Sequence, residues 1–151
     1  MNKGELVYLD TSVISAYFDR RNEPRMVETR KFWHHLESHL PCISNVVHEE
    51  LSRMSNPEVK RKVLHLIKDF RIYTVTEKVL QLATDYIDEG IIPEKSFNDA
   101  IHIAVATVNN VSVLVSWNFH HIVKRNTKSQ VNLLNSIKGY KNLEIVSPLD
   151  F

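Results

Sequence analysis

Three carboxylates and an amide stand where apolar runs of the chain stop. Asp10 follows Leu6-Val7-Tyr8-Leu9, and Glu50 lies shortly after Ile43-Ser44. Asp99 opens Asp99-Ala100-Ile101-His102-Ile103-Ala104, and Asn118 comes just after Val111 to Val115. Ser116 adds a second neutral oxygen two residues before Asn118. Acidic side chains gathered without basic partners repel one another and usually hold a cation. Oxygen donors alone favour Mg²⁺ or Mn²⁺ over zinc. Mg²⁺ takes few carboxylates and keeps several waters, which suits phosphodiester hydrolysis: the ion lowers the pKa of an attacking water and neutralises charge on the phosphate.

Each residue also has a plainer reading. Asp10 is placed to cap a helix, although Thr11 or Ser12 can cap instead and leave it for another task. Glu50 lies a turn after Val46 and Val47, hence toward the sheet, with Glu49 toward water; a solvated acidic pair is the alternative. An acid such as Asp99 is favourable in a first turn through the helix dipole alone. An Asn after a strand, such as Asn118, is ordinarily a turn residue. His102, one turn beyond Asp99, reads as a core histidine ahead of a ligand or phosphate contact. His120 and His121 are adjacent, so on a helix they point apart and make a poor metal pair. Trp33 and Trp117 read as packing residues rather than base-stacking platforms.

Alternating strands and helices must position these groups. Glu5 to Leu9 is almost continuously apolar, the pattern of a strand buried on both faces. A helix to about Phe18 follows, and Pro24 starts a second, to about His39, with a stripe of Met26, Thr29, Trp33 and Leu36. Pro41 to Ser44 reads as a strand and Asn45 to Met54 as a helix with Val46, Val47 and Leu51 inward. Asn56-Pro57 breaks that helix and opens another, carrying Val59, Val63, Leu64, Ile67 and Phe70 at helical spacing. Ile72 to Val75 is a β-branched run, and Glu77 to Glu89 is helical up to Gly90. Ser96 to Val108 is a helix packing through Ala100, Ile103, Ala104 and Thr107. The strand Val111 to Val115, a helix near Ser129 to Ile137 ending at Gly139, and the strand Leu143 to Val146 complete the chain. Such alternation implies an α/β fold with a parallel sheet covered on both faces. Right-handed crossovers put the strand-end loops on one rim, where such sheets bind ligands.

Bulk properties set the frame. The 151 residues suit one domain over 1–151, and 43% hydrophobic with 25% charged residues is a soluble, globular composition. A net charge of +1 does not mark a nucleic-acid binder, so such binding needs local basic clusters. Cys42, the single cysteine, follows a proline in an apolar run and reads as a buried thiol, which fits a reducing cytosol. The start MNKGELVYLD does not read as a secretory signal, and no apolar run is long enough to span a membrane. A cytoplasmic protein is expected.

The stretches Leu9-Asp10-Thr11-Ser12, Ile43-Ser44 through Glu50-Leu51, Asn98-Asp99-Ala100-Ile101-His102-Ile103-Ala104 and Leu114-Val115-Ser116-Trp117-Asn118-Phe119 together resemble a PIN domain. The segment from Asn135 to Pro148 is similar to the last helix and strand of one PIN subgroup, so the likeness covers essentially the whole chain. The resemblance implies a three-layer α/β/α sandwich with strand order 3-2-1-4-5 and an Mg²⁺ or Mn²⁺ site that cuts RNA. It matches Asp10, Glu50 and Asp99 to the acidic ligands. It puts Asn118 where many members carry a fourth aspartate, and Ser116 at the usual Ser/Thr position. Stand-alone chains of this length resemble VapC-type toxins, which implies a protein antitoxin as partner and often a homodimer. The amide at Asn118 removes one negative charge, so one tightly held ion and a weaker or substrate-dependent second one are expected.

RNA approaching an acidic pocket calls for a basic rim, and Arg20, Arg21, Lys124, Arg125 and Lys128 are the candidates, with ordinary solvated surface as the alternative. Ser116 is a further possible substrate contact. The helices after Glu50 offer a dimer face if Val63 and Ile67 are exposed. Two other functions compete. A phosphotransferase with an aspartate nucleophile also begins with a buried strand ending in Asp, but its haloacid-dehalogenase pattern wants a second aspartate where Ser12 stands. A PIN-like module that binds RNA or protein without cleaving is the other, with Asn118 as the reason.

Overall fold

The computed structural model describes residues 4–151. Leu6–Leu9 forms β1, and Val7, Tyr8 and Leu9 have no exposed surface, as a strand covered on both faces requires. It pairs in parallel with β2, Leu40–Ser44, on one side and β4, Val113–Val115, on the other. β3, Arg71–Tyr73, adds to β2, and β5, Glu144–Val146, adds to β4. The sheet is wholly parallel, with the order β3-β2-β1-β4-β5 that was expected. The carboxyl ends of β1, β2 and β4 lie level, since Tyr8 faces Cys42 and Leu114 in register.

Among the described residues seven α-helices flank the sheet: α1 Thr11–Ala16, α2 Glu23–Leu36, α3 Asn45–Ser52, α4 Pro57–Leu66, α5 Glu77–Asp88, α6 Phe97–Val108 and α7 Arg125–Ile137. Their starts follow capping chemistry. Ser44 accepts from Val47 N–H to begin α3, Asn56 from Glu58 and Val59 N–H to begin α4, and Thr76 from Val79 N–H to begin α5. Gly90 and Gly139 take φ of +72° and +85° just beyond α5 and α7, a conformation that a side chain would strain. No helix among the described residues is long and apolar enough to cross a membrane.

Several expectations shift. α1 is capped by Asp10, not by Thr11 or Ser12. Phe32 rather than Trp33 fills the core from α2, while Trp33 stacks on Phe70 nearer the surface. α6 is buried on all sides from Ala100 to Thr107, wider than a single stripe, because α5 packs on it as well as the sheet. α7 begins at Arg125; its polar first turn carries no apolar period to announce it. Val63 and Ile67 are buried, so the two side chains expected to offer a dimer face pack inside the molecule. Cys42 is buried as expected, and burial pushes its thiol up to about 12.

Candidate active site

Asp10 stands at the end of β1, 4% exposed, and both its oxygens are engaged. Oδ1 accepts from Ser12 Oγ and, at a long 3.4 Å, from Val13 N–H; Oδ2 accepts from Ser116 Oγ at 2.5 Å. Capping and site duty fall on the same carboxylate, one oxygen turned mainly to each. Burial raises the pKa of Asp10 from its ordinary value; the nearby charge of His102 and the hydroxyls of Ser116 and Ser12 pull the other way without cancelling it.

Glu50 comes from α3 and is half-buried, with Glu49 exposed, as the helical spacing predicts. Its Oε1 accepts from Thr11 Oγ1 at 2.8 Å and lies 3.2 Å from His102 Nε2. An ionised carboxylate only accepts, so Nε2 is the donor of that contact. His102 Nδ1 is 2.8 Å from Tyr8 Oη, which in turn donates to Ser44 Oγ at 2.9 Å. Burial raises the pKa of Glu50, but the hydrogen bond and charge of His102, with help from Thr11, overcome it and leave the net shift downward. His102 is thus a buried histidine, as expected, that also holds a site carboxylate in place.

Asp99, in the first turn of α6, is raised by burial first; the charge of His102 opposes this and that of Asp10 adds to it. Asp10 and Asp99 therefore feel each other across the site. Asn118 sits beside them: its Nδ2 donates to Asp99 Oδ2 at 3.2 Å. Its Oδ1 accepts from the backbone N–H of His120 at 3.0 Å and of His121 at 2.9 Å. Two backbone donors orient the amide, so the nitrogen rather than the oxygen faces Asp99. Asn118 is the expected turn residue and also a partner of Asp99, and direct coordination by its oxygen would displace a backbone donor.

Ser116 has no exposed surface; it donates to Asp10 and accepts from Asn118 N–H at 2.9 Å. In this conformation its hydroxyl is engaged with Asp10 and the Asn118 backbone. Of the basic candidates, Arg21 is held by Asp19 through Nε at 2.9 Å and a second nitrogen at 3.2 Å. Arg20 is exposed in a short 3-10 turn at 20–22, Lys124 and Arg125 are exposed at the start of α7, and Lys128 is half-buried there. None of these side chains bonds to the acidic cluster.

Asp10, Glu50 and Asp99 are the oxygen-rich, partly desolvated set that a hard divalent cation suits: mutual repulsion and burial are both relieved by positive charge. Among the described residues no group of three or more His, Cys, Asp or Glu side chains is placed to hold a metal ion by itself.

The family model of the PIN domain matches residues 7–121. The chain belongs to the PIN-domain family. The matched span runs from β1 past Asn118, so it contains all four residues of the site. No curated protein matches this PIN domain. Solved structures share its fold at low identity. VapBC2 from Rickettsia felis, bound to a DNA fragment from its promoter, is 17% identical over 94% of this chain and 98% of its own, with a TM-score of 0.60. VapC20 from Mycobacterium tuberculosis, a toxin that cleaves the sarcin–ricin loop, is 16% identical over 90% and 97%, with a TM-score of 0.61. FitAcB from Neisseria gonorrhoeae is 15% identical over 96% and 99%, also at 0.61.

The hydroxyls of Tyr8 and Ser44, and the bonds of Thr11 to Glu50 and Ser12 to Asp10, are parts of this arrangement that the sequence reading did not foresee. Tyr8 had a signal: a tyrosine inside a fully buried strand must find a partner for its hydroxyl.

Proposed function

We propose that this PIN domain is an Mg²⁺- or Mn²⁺-dependent endoribonuclease, the toxin of a toxin–antitoxin pair in the cytoplasm. The observation that carries it is that Asp10, Glu50 and Asp99 are arranged around one buried histidine: His102 bonds to Glu50, and its charge acts on Asp10 and Asp99. Asp10, Glu50 and Asp99 are the proposed ligands, and Asn118 the fourth member of the set, acting through its hold on Asp99. The bound ion would supply an activated water and offset charge on the scissile phosphate. The residues around it do the positioning: Ser116 and Ser12 fix Asp10, His102 and Thr11 fix Glu50, and Asn118 fixes Asp99. Glu50, held ionised by His102, remains an acceptor for a metal-bound or attacking water. The solved complexes that share the fold pair a toxin with an antitoxin, which supports a protein partner for this chain too.

The test is cleavage of a mixed single-stranded RNA pool in Mn²⁺, in Mg²⁺ and in EDTA, with Asp10→Asn and Asp99→Asn at matched purity. Metal-dependent cleavage lost in both variants is the expected result. Cleavage surviving both would remove the site assignment, and none from the wild type in either metal would leave a binding module.

A further inference from the structure

A shelf beside the acidic cluster is built on Trp117. This residue lies between Ser116, bonded to Asp10, and Asn118, bonded to Asp99. Its indole is 6% exposed and pinned: Nε1 donates to Thr29 Oγ1 and the backbone N–H to Ser12 Oγ, both at 2.9 Å. Two side chains use that fixed ring. The Arg25 guanidinium lies 4.8 Å from its centroid, and Phe119 meets it edge-on at 6.2 Å and 65°. Phe119 is 48% exposed, unusual for a large aromatic with a core tryptophan beside it.

Arg25 differs from Arg21 and Arg30 in what its nitrogens do. Arg21 is committed to Asp19, and Arg30 donates to Tyr17 carbonyl. Asp19 feels the charge of Arg25, but its oxygens are bonded to Arg21. Among the described residues no carboxylate stands within ion-pairing distance of Arg25, and its guanidinium donates no hydrogen bond. A guanidinium stacked on an aromatic face keeps its in-plane N–H groups for a planar or tetrahedral oxyanion.

Resting on the ribonuclease reading, we propose that Arg25 and Phe119 form the docking shelf for single-stranded RNA next to the acidic cluster. Arg25 takes a backbone phosphate and Phe119 stacks a neighbouring base. Positive charge beside a carboxylate-lined site is what a polyanion needs to approach it, and an exposed aromatic is a sequence-tolerant platform for unpaired bases.

The measurement is fluorescence anisotropy of a short labelled oligouridylate with the full chain in EDTA, over a series of salt concentrations. Arg25→Gln, which keeps the stem, should weaken binding about tenfold and reduce the slope of log affinity against log salt by about 0.7, the share of one phosphate. Phe119→Leu should weaken it about fivefold with the slope unchanged. Thermal melts of the variants establish that they fold. Wild-type affinity and slope in both folded variants would overturn the shelf, as would failure of the wild-type chain to bind the oligomer in EDTA. Metal-dependent cleavage, assayed separately, judges the nuclease reading whichever way binding falls. Variants that bind RNA normally but lose a co-expressed protein partner would make the shelf a protein-docking surface and end its assignment to RNA.

Discussion

The amide at Asn118 is where a single atom decides the character of the site. Its nitrogen stands 3.2 Å from Asp99 Oδ2, so the pair is attractive without any ion. In Asn118→Asp a carboxylate oxygen takes that place and repels Asp99. The expected outcome is a lower melting temperature in chelator and a larger rise on adding Mn²⁺ than the wild type shows, read by thermal melts with and without the ion. An equal Mn²⁺ response would place residue 118 outside the metal's reach. Asp99 itself carries a pH signature. Its folded pKa is raised by burial and by Asp10, so its ionised form costs stability. That cost is complete above the folded pKa and absent below the unfolded value, about 3.9. Asp99→Asn should therefore be the more stable protein in chelator at pH 7 to 8, with the difference fading as the pH falls toward 4. Urea midpoints across that range check it. Glu50 has the opposite sign: its lowered pKa adds stability above the unfolded value, which is lost as the pH falls through the folded one.

At the scale of elements, α6 sets the precision of the site. It is enclosed by α5 and the sheet, and Ala100, Ala104 and Ala106 have no exposed surface. Small residues let its axis approach β4 closely and carry Asp99 to the rim. Ala104→Leu should cost about 1–3 kcal/mol by overpacking, measured by urea denaturation, and should reduce cleavage by more than the lost folded fraction explains. Activity falling only in proportion to folded protein would show that the placement of α6 is not limiting. A polar tie also anchors this helix: Tyr86 of α5 donates to Asn135 of α7 at 2.6 Å, and Asn135 donates to Thr107 of α6 at 3.2 Å.

For the whole molecule, ion binding is read most directly in stability. A folded state that binds an ion better than the unfolded chain is stabilised by mass action, by about 2.7 kcal/mol at a hundred times the dissociation constant. Mn²⁺ should thus raise the melting temperature of the wild type and leave that of Asp10→Asn nearly unchanged. A rise of equal size in both would locate the ion elsewhere.

The order of strands and helices was legible in the sequence because periodicity and caps are local. Leu6 to Leu9 declared a strand buried on both faces, and Asn56-Pro57 and Gly90 marked helix ends. The placing of the four candidate residues was legible too: Asp10 and Asn118 follow strands, Asp99 lies in the first turn of α6, and helical spacing turns Glu50 inward and Glu49 outward. Their partners were not. Ser116 is separated from Asp10 by 106 residues, His102 from Glu50 by 52, and Tyr8 from His102 by 94. Arg25 of α2 meets Trp117, just past β4, only in the folded chain. Contacts of that separation leave no periodic trace in a single sequence. The tertiary structure alone decided which oxygen of each acid is engaged, and which end of the Asn118 amide faces Asp99.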